Sequence, residues 1–357
     1  MSRSQLLLSC CLVAAVACAS SSATTPPPEH AEAAAPAAPA PPPPPIPQDP
    51  MELVSADIAL FANARVDVMK SRDAFATVRR AVLRYGCIGE ADFDWLVGQT
   101  QRAILASRGD AEHPEFVVIL AGQFGEADAG RALEALARRT GSGDPLGNRT
   151  QGRFNIAQKG PWSAIVLEER LMVAGHDGFV GSTLDMIEHP DAARFAQSPI
   201  FAELGGRMEC LERSACGLIT PDGSVARRMK GELSSVGMKK VGRELAAAQS
   251  GVSLALGEGI TLSVVAHMQN DAAAESLAKD TKDWLWQAGL VARLAGFPDV
   301  LGDAQVDNSG SFTDLKIRVG EQDLARLEKR FDQMLGDEAS AHCREGTAFG
   351  IPTRGRL

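Results

Sequence analysis

The chain has 357 residues, a formal net charge of −9 at neutral pH and few aromatic side chains, 5% of the total. The acidic balance argues against nucleic-acid binding, which needs clustered Lys and Arg, and against adhesion to anionic lipid head groups. The part that follows Met51 is long enough for one large domain or two domains of ordinary size.

The first 17 residues have the features of a secretory signal peptide. Arg3 supplies a positive charge near the start, and residues 6–17 are apolar except for Ser9. This apolar run is too short to cross a bilayer as a helix, which takes about 20 residues. Its length and the small residues at its end are typical of a cleaved signal.

Cys18 follows Ala15-Val16-Ala17, and this arrangement resembles the lipobox of bacterial lipoproteins, although Ala15 stands where Leu is preferred. The resemblance implies that the Cys18 thiol is acylated and becomes the first residue of the mature protein. Because Ala19 follows instead of Asp, it also implies the outer membrane. An ordinary signal peptide, in which Cys18 is apolar filler, is the alternative.

Residues 18–50 are predicted to form an unfolded tether. Twelve prolines fall in this stretch, and Ile46 is its one aliphatic residue larger than Ala. Such a segment buries too little apolar surface to offset the loss of chain entropy. Dense proline extends it toward polyproline II, at about 3.1 Å per residue. It is interpreted as a spacer, or as a tether whose length hardly matters.

The folded region shows periodic patterns of both helices and strands. Residues 116–121 are apolar throughout, which favours a strand covered on both faces. Residues 260–269 alternate in the period of a half-buried strand. Further strands are predicted at residues 165–167, 171–173, 215–220 and 312–319, and helices over residues 72–84, from Glu126, from Asp271 and from Glu321.

These elements predict an α+β fold, a largely antiparallel sheet with helices mainly on one face. The order strand, helix, strand, strand, helix, strand, strand, helix can be drawn twice, so two similar halves are expected. The predicted organisation is a signal peptide at 1–17, a tether at 18–50, a first half at 51–190, a junction at 191–213, a second half at 214–336 and a tail at 337–357.

Four cysteines remain after the anchor: Cys87, Cys210, Cys216 and Cys343. An even number in an exported chain predicts two disulfides, with three connectivities open. We favour Cys210–Cys216 together with Cys87–Cys343, which would clamp the two ends of the folded region. Unpaired buried thiols are the alternative.

The whole layout of lipobox, Pro/Ala-rich tether and α+β body in an Ala/Arg/Gly-rich chain resembles uncharacterised lipoproteins of the myxobacterial type. Gly86-Cys87, followed by an acidic and apolar stretch, is part of that resemblance. It brings no catalytic residues with it. What it implies is a location, the bacterial cell envelope at the outer membrane.

Motifs of catalysis, metal binding and cofactor binding are missing from the sequence. No His-x-x-x-His, Gly-x-Ser-x-Gly or Cys-x-x-Cys occurs, so no cofactor is expected. The leading prediction is a non-catalytic, membrane-anchored protein that binds an envelope protein or serves as a scaffold.

Two other functions remain open. One is a carrier of lipid or another apolar ligand, whose cavity would be lined by Trp162, Trp284, Trp286 and Phe297. The other is an envelope hydrolase, which would assemble its site from distant residues.

Overall fold

A computed structural model describes residues 42–85, 88–109, 115–140, 143–221, 224–235, 239–335, 347–348 and 351–352. After a 3₁₀ turn at Pro50–Leu53, the first half runs β1 (Leu60–Arg65), α1 (Val66–Lys70), α2 (Phe75–Tyr85), α3 (Glu90–Gln99), β2 (Thr100–Arg108), β3 (Glu115–Gly122), α4 (Glu126–Thr140), β4 (Gly147–Gln151), β5 (Phe154–Lys159), β6 (Trp162–Leu167), β7 (Leu171–His176) and α5 (Asp177–Glu188).

The second half begins after a junction with a 3₁₀ turn at Phe195–Gln197 and a π-helical turn at Phe201–Gly205. It runs β8 (Ala215–Ile219), α6 (Ser224–Ser235), α7 (Lys239–Ala247), β9 (Gln249–Leu256), β10 (Ile260–His267), α8 (Asp271–Leu294), β11 (Gln305–Ser309), β12 (Phe312–Val319) and α9 (Glu321–Leu335). A two-residue hairpin, β13 (Thr347–Ala348) and β14 (Ile351–Pro352), follows. Each predicted helix and strand overlaps an observed one.

Strands β1 to β12 form one continuous sheet in the order β11-β12-β10-β9-β8-β1-β2-β3-β7-β6-β5-β4. Every pairing among them is antiparallel. The α+β fold with an antiparallel sheet is therefore confirmed. The two halves meet at the centre, where β1 pairs with β8 and Asn63 lies opposite Cys216.

The two halves of the sheet place corresponding strands in the same order, counted outward from the central β1–β8 pair. The series β1, β2, β3, β7 on one side corresponds to β8, β9, β10, β12 on the other. The second half follows the predicted order of strands and helices. The first half has an additional hairpin, β4 and β5, at the edge of the sheet. The sequence did not predict this hairpin, because residues 147–153 are polar and the apolar period of β5 consists of Phe154 and Ile156 alone.

The helices cover the two faces of the sheet unequally. The α5 face carries Phe61, Ile104, Ile119 and Val173, and the buried side chains of α5 pack against it. The opposite face, called here the α8 face, takes the other α-helices that contribute to the described core clusters. Helices mainly on one face were predicted, and this arrangement is observed.

The junction contributes directly to the core. Phe195 lies 5.0 Å from Phe61, measured between ring centroids, and is almost fully buried. A disulfide joins Cys210 to Cys216, with 5.1 Å between the Cα atoms, and so ties the junction to β8. The Asn63 side-chain amide donates to the Cys210 carbonyl at 3.1 Å. This disulfide is as predicted, whereas Cys87 and Cys343 lie outside the described residues.

The last residues assigned to the tether lie against the body. The Arg170 guanidinium donates to the carbonyl oxygens of Ile46 and Pro47 at 2.8 and 2.9 Å. Arg102 contacts the Asp49 carboxylate at 2.9 Å, and Ile46 packs on the α5-face core. The folded part therefore begins before residue 50, where the sequence placed the boundary, because these carbonyls accept hydrogen bonds from Arg170 in the turn between β6 and β7.

Candidate functional site

An exposed apolar surface lies on the outer side of the C-terminal half of α8. Trp286 is 69% exposed and Leu294 is 81% exposed, and between them Leu290 and Val291 are 43% and 50% exposed. We call these four residues the α8 patch. Large apolar side chains exposed one at a time are ordinary, but a contiguous group marks a place where something binds.

The position of α8 is fixed by contacts on its inner side. Asn270 caps its N-terminus, and the side chain accepts the Ala273 N–H at 2.9 Å. Ala274 and Leu277 are buried against the α8 face. The Thr313 hydroxyl on β12 donates to the Ala274 carbonyl at 2.8 Å. Since the inner side is held in this way, the helical period leaves the patch on the outer side.

The C-terminal end of α8 is held as well. Arg330 on α9 donates to the Ala295 carbonyl at 2.7 Å and lies 5.9 Å from the ring centroid of Phe297. Arg293 is 3.2 Å from the Asp299 carboxylate. Leu294 is therefore exposed at the end of a fixed helix.

Charged side chains of both signs surround the α8 patch. Lys282 and Asp283 are exposed one turn before Trp286, and Arg293 is exposed beside Leu294. The patch is thus an apolar stripe with a mixed polar rim, which is the usual arrangement of a protein-binding surface.

The four side chains predicted to line a ligand cavity lie in different surroundings. Trp162 is almost fully buried in the core beneath α4, 5.2 Å from the Phe116 ring. Trp284 is half-buried against the clusters beneath α8, Phe297 is buried, and Trp286 is exposed in the α8 patch. Their role as ligand lining stays a prediction.

The sequence indicated α8 as a helix but not its exposed stripe. Leu277, Trp284, Ala288 and Val291 were taken as its apolar side, yet Val291 is half exposed. The buried residues of the helix are Ala274, Leu277, Ala278, Thr281, Leu285 and Gly289. The usable signal was the second apolar series at 286, 290 and 294, which repeats every four residues beside the buried one.

A second cluster of polar side chains surrounds His176 at the end of β7. The Phe116 N–H donates to Nδ1 of His176 at 3.0 Å, and the imidazole ring packs against the rings of Phe116 and Trp162, which also contact each other. Burial lowers the pKa of His176 from its usual value of 6.5. The Glu115 carboxylate acts in the opposite direction, because a nearby negative charge favours the protonated ring, but burial is the larger effect.

Next to His176, the fully buried Ser163 donates its hydroxyl to the Asp177 carboxylate. Arg149 donates to the same carboxylate at 2.7 Å. The Ser163 hydrogen bond therefore goes to an acid already paired with arginine, and Nδ1 of His176 is occupied by the backbone. This network ties β4, β6 and α5 together.

Among the residues that the structure describes, no group of three or more His, Cys, Asp or Glu side chains could hold a metal ion. Within the same residues, no helix is both long and apolar enough to cross a bilayer. The predicted lipidation site, Cys18, precedes the described residues.

Comparisons with known proteins give a distant structural likeness alone. No protein-family model matches the chain, and no curated protein matches it. It is similar to a solved structure described as crystal form III of TP0453, with 11% sequence identity and a TM-score of 0.47, over 79% of this chain and 98% of that one. For crystal form I of TP0453 the identity is 12% and the TM-score 0.45, over 80% and 97% of the two chains.

Proposed function

We propose that this protein is a non-catalytic binding or scaffolding protein of the bacterial cell envelope, anchored to the outer membrane by fatty acyl chains on Cys18. It binds its partner through the α8 patch. The observation that carries the proposal is the exposure of Trp286, Leu290, Val291 and Leu294 on a helix whose opposite side is packed in the core.

The patch has the composition of a binding surface. Trp is among the residues that contribute most to interface free energy when they are covered. Covering an exposed Leu or Val removes apolar area from water, at about 25 cal/mol per Å². Leaving such side chains in water has a cost in solubility, which a binding function would explain.

The lipid anchor is supported by the lipobox-like sequence before Cys18, and the tether's attachment to the body by the arginine contacts to residues 46–49. Residues 19–43 precede those contacts and, if extended as polyproline II, span roughly 80 Å. The tether would then join the folded body on the α5 face, at residues 46–49. The α8 patch would lie on the opposite side of the sheet.

Site-specific photo-crosslinking in the native cells tests the binding role. A photoreactive phenylalanine analogue replaces Trp286 in one full-length chain, and Leu146 in a matched control chain. Leu146 is 50% exposed and lies on the loop before β4, away from α8. We expect discrete covalent adducts from position 286 and none of the same mass from position 146. Equal labelling at both positions, or none at 286, would contradict the proposal.

A further inference from the structure

The charges around the α8 patch are arranged to match a second copy of the same helix. Asp283 lies near one end of the stripe and Arg293 near the other, and both are exposed. Residue 288 is the midpoint between them. If two copies of α8 pack antiparallel about that point, each Asp283 meets the Arg293 of the other copy, and that guanidinium then lies between Asp283 and the Asp299 of its own chain.

The same register pairs the apolar side chains. About residue 288, Trp286 of one copy lies against Leu290 of the other, and the aliphatic stem of Lys282 lies over Leu294. Long charged side chains commonly cover apolar surface in this way. The stripe from Trp286 to Leu294 is about 12 Å long, since a helix rises about 1.5 Å per residue. Apolar contact and charge pairing therefore select one register.

The size of the patch also suits a dimer. Its four side chains expose apolar area on the order of 500 Å². A stable interface hides about 800 Å² on each partner, with an apolar centre and a polar rim. The patch and its rim of Lys282, Asp283 and Arg293 together approach that value.

An anionic lipid surface fits the patch less well. The chain is acidic, with a net charge of −9, and Asp283 lies within the rim. A self-complementary contact needs both charge signs on one helix, whereas an anionic bilayer favours a positive rim alone.

We propose that the α8 patch binds the α8 patch of a second copy of this chain, antiparallel and two-fold symmetric, with Asp283 against Arg293. This inference rests on the proposed binding function and names its partner.

Sedimentation equilibrium of the full chain carrying Cys18→Ser, which removes acylation, provides the test. We expect a monomer–dimer equilibrium. Leu290→Asp puts a charge in the buried centre and should raise the dimer Kd by about 100-fold or more. Leu146→Asp, at an equally exposed position elsewhere, should leave the Kd unchanged. Circular dichroism of both variants checks that the fold is retained.

Charge exchange tests the register. Asp283→Arg alone and Arg293→Asp alone each place like charges together and should raise the Kd about 10-fold. Because Arg293→Asp also removes the ion pair with Asp299 of its own chain, Asp299→Asn, which removes that pair and keeps Arg293, is its control and should leave the Kd unchanged. An equimolar mixture of the two single variants, or the double variant, restores opposite charges at both contacts and should restore dimerisation. Failure of this rescue would overturn the antiparallel register.

Other outcomes separate this inference from the proposed function. A monomer at all concentrations overturns the dimer. If that monomer binds vesicles of phosphatidylethanolamine and phosphatidylglycerol and loses binding with Leu290→Asp, the occupant is lipid and the dimer is wrong. A crosslink from position 286 to a different protein would also overturn the dimer while leaving the binding function in place.

Discussion

His176 shows how a single buried side chain links this fold to pH. Its ring is buried and packs against Phe116 and Trp162, and its Nδ1 accepts a backbone N–H. Burial disfavours the protonated ring, so the pKa in the folded state lies below the usual 6.5. From about pH 6.5 down to that lower pKa, the unfolded chain binds a proton that the native chain does not. The free energy of unfolding must therefore fall as the pH is lowered through this window.

The replacement His176→Asn keeps a side-chain acceptor and removes the titrating group. We expect the free energy of unfolding of the wild type to fall more steeply than that of the variant between about pH 7 and about pH 5. Urea unfolding at several pH values in that range measures the difference. His189→Asn, at an exposed position after α5, is the control and should follow the wild type. Parallel curves for wild type and His176→Asn would show that His176 does not carry the effect.

At the scale of elements, helix α8 is both part of the core and the carrier of the proposed binding surface. Its length of 24 residues and the cap at Asn270 set where the stripe of Trp286, Leu290 and Leu294 falls. Without the cap, the first turn loses a hydrogen bond to a backbone N–H that has no helical partner.

Asn270→Ala should therefore destabilise the protein by about 1 kcal/mol. Asn270→Asp retains an acceptor for the Ala273 N–H and should recover most of this loss. Chemical unfolding of the three proteins under one set of conditions gives the comparison. Equal stability of Asn270→Ala and wild type would show that the cap contributes nothing.

The elements that the sequence predicted well are those in which apolar period and secondary structure agree. Residues 116–121 were predicted to form a strand covered on both faces, and the side chains of β3 lie in hydrophobic core clusters on both faces of the sheet. The β4–β5 hairpin was missed, because the edge strand β4 is polar and β5 shows an apolar period only at Phe154 and Ile156. The α8 patch was missed for the opposite reason, since a helix apolar on two sides does not reveal which side is buried.

At the scale of the molecule, the two halves share an order of elements but differ in how the last helix packs. In the first half, α5 covers the α5 face with Phe179 and Leu184. In the second half, Leu324 of α9 packs in a cluster on the α8 face instead. The side chains of β9, β10 and β12 on the α5 face explain the difference, because Ser253, Ser263 and Lys316 lie opposite one another there. Such a polar row offers an apolar helix nothing to bury.

The described body and the predicted leader meet at residues 46–49, where Arg102 and Arg170 hold the chain. Long-range contacts of this kind depend on side chains far apart in sequence, so the sequence alone did not reveal them. They give the proposed lipid anchor a defined point at which its tether joins the body. They also place the entry point and the α8 patch on opposite faces of the sheet, which leaves the patch available to a partner.

The central claim is that this chain is a lipid-anchored binding protein, and the mass of the mature N-terminal peptide tests it most directly. Protein purified from its native membranes should begin at Cys18 and carry fatty acyl chains, and the Cys18→Ser variant should lack them. An unmodified Cys18, or a mature chain that retains residues before it, would contradict the account.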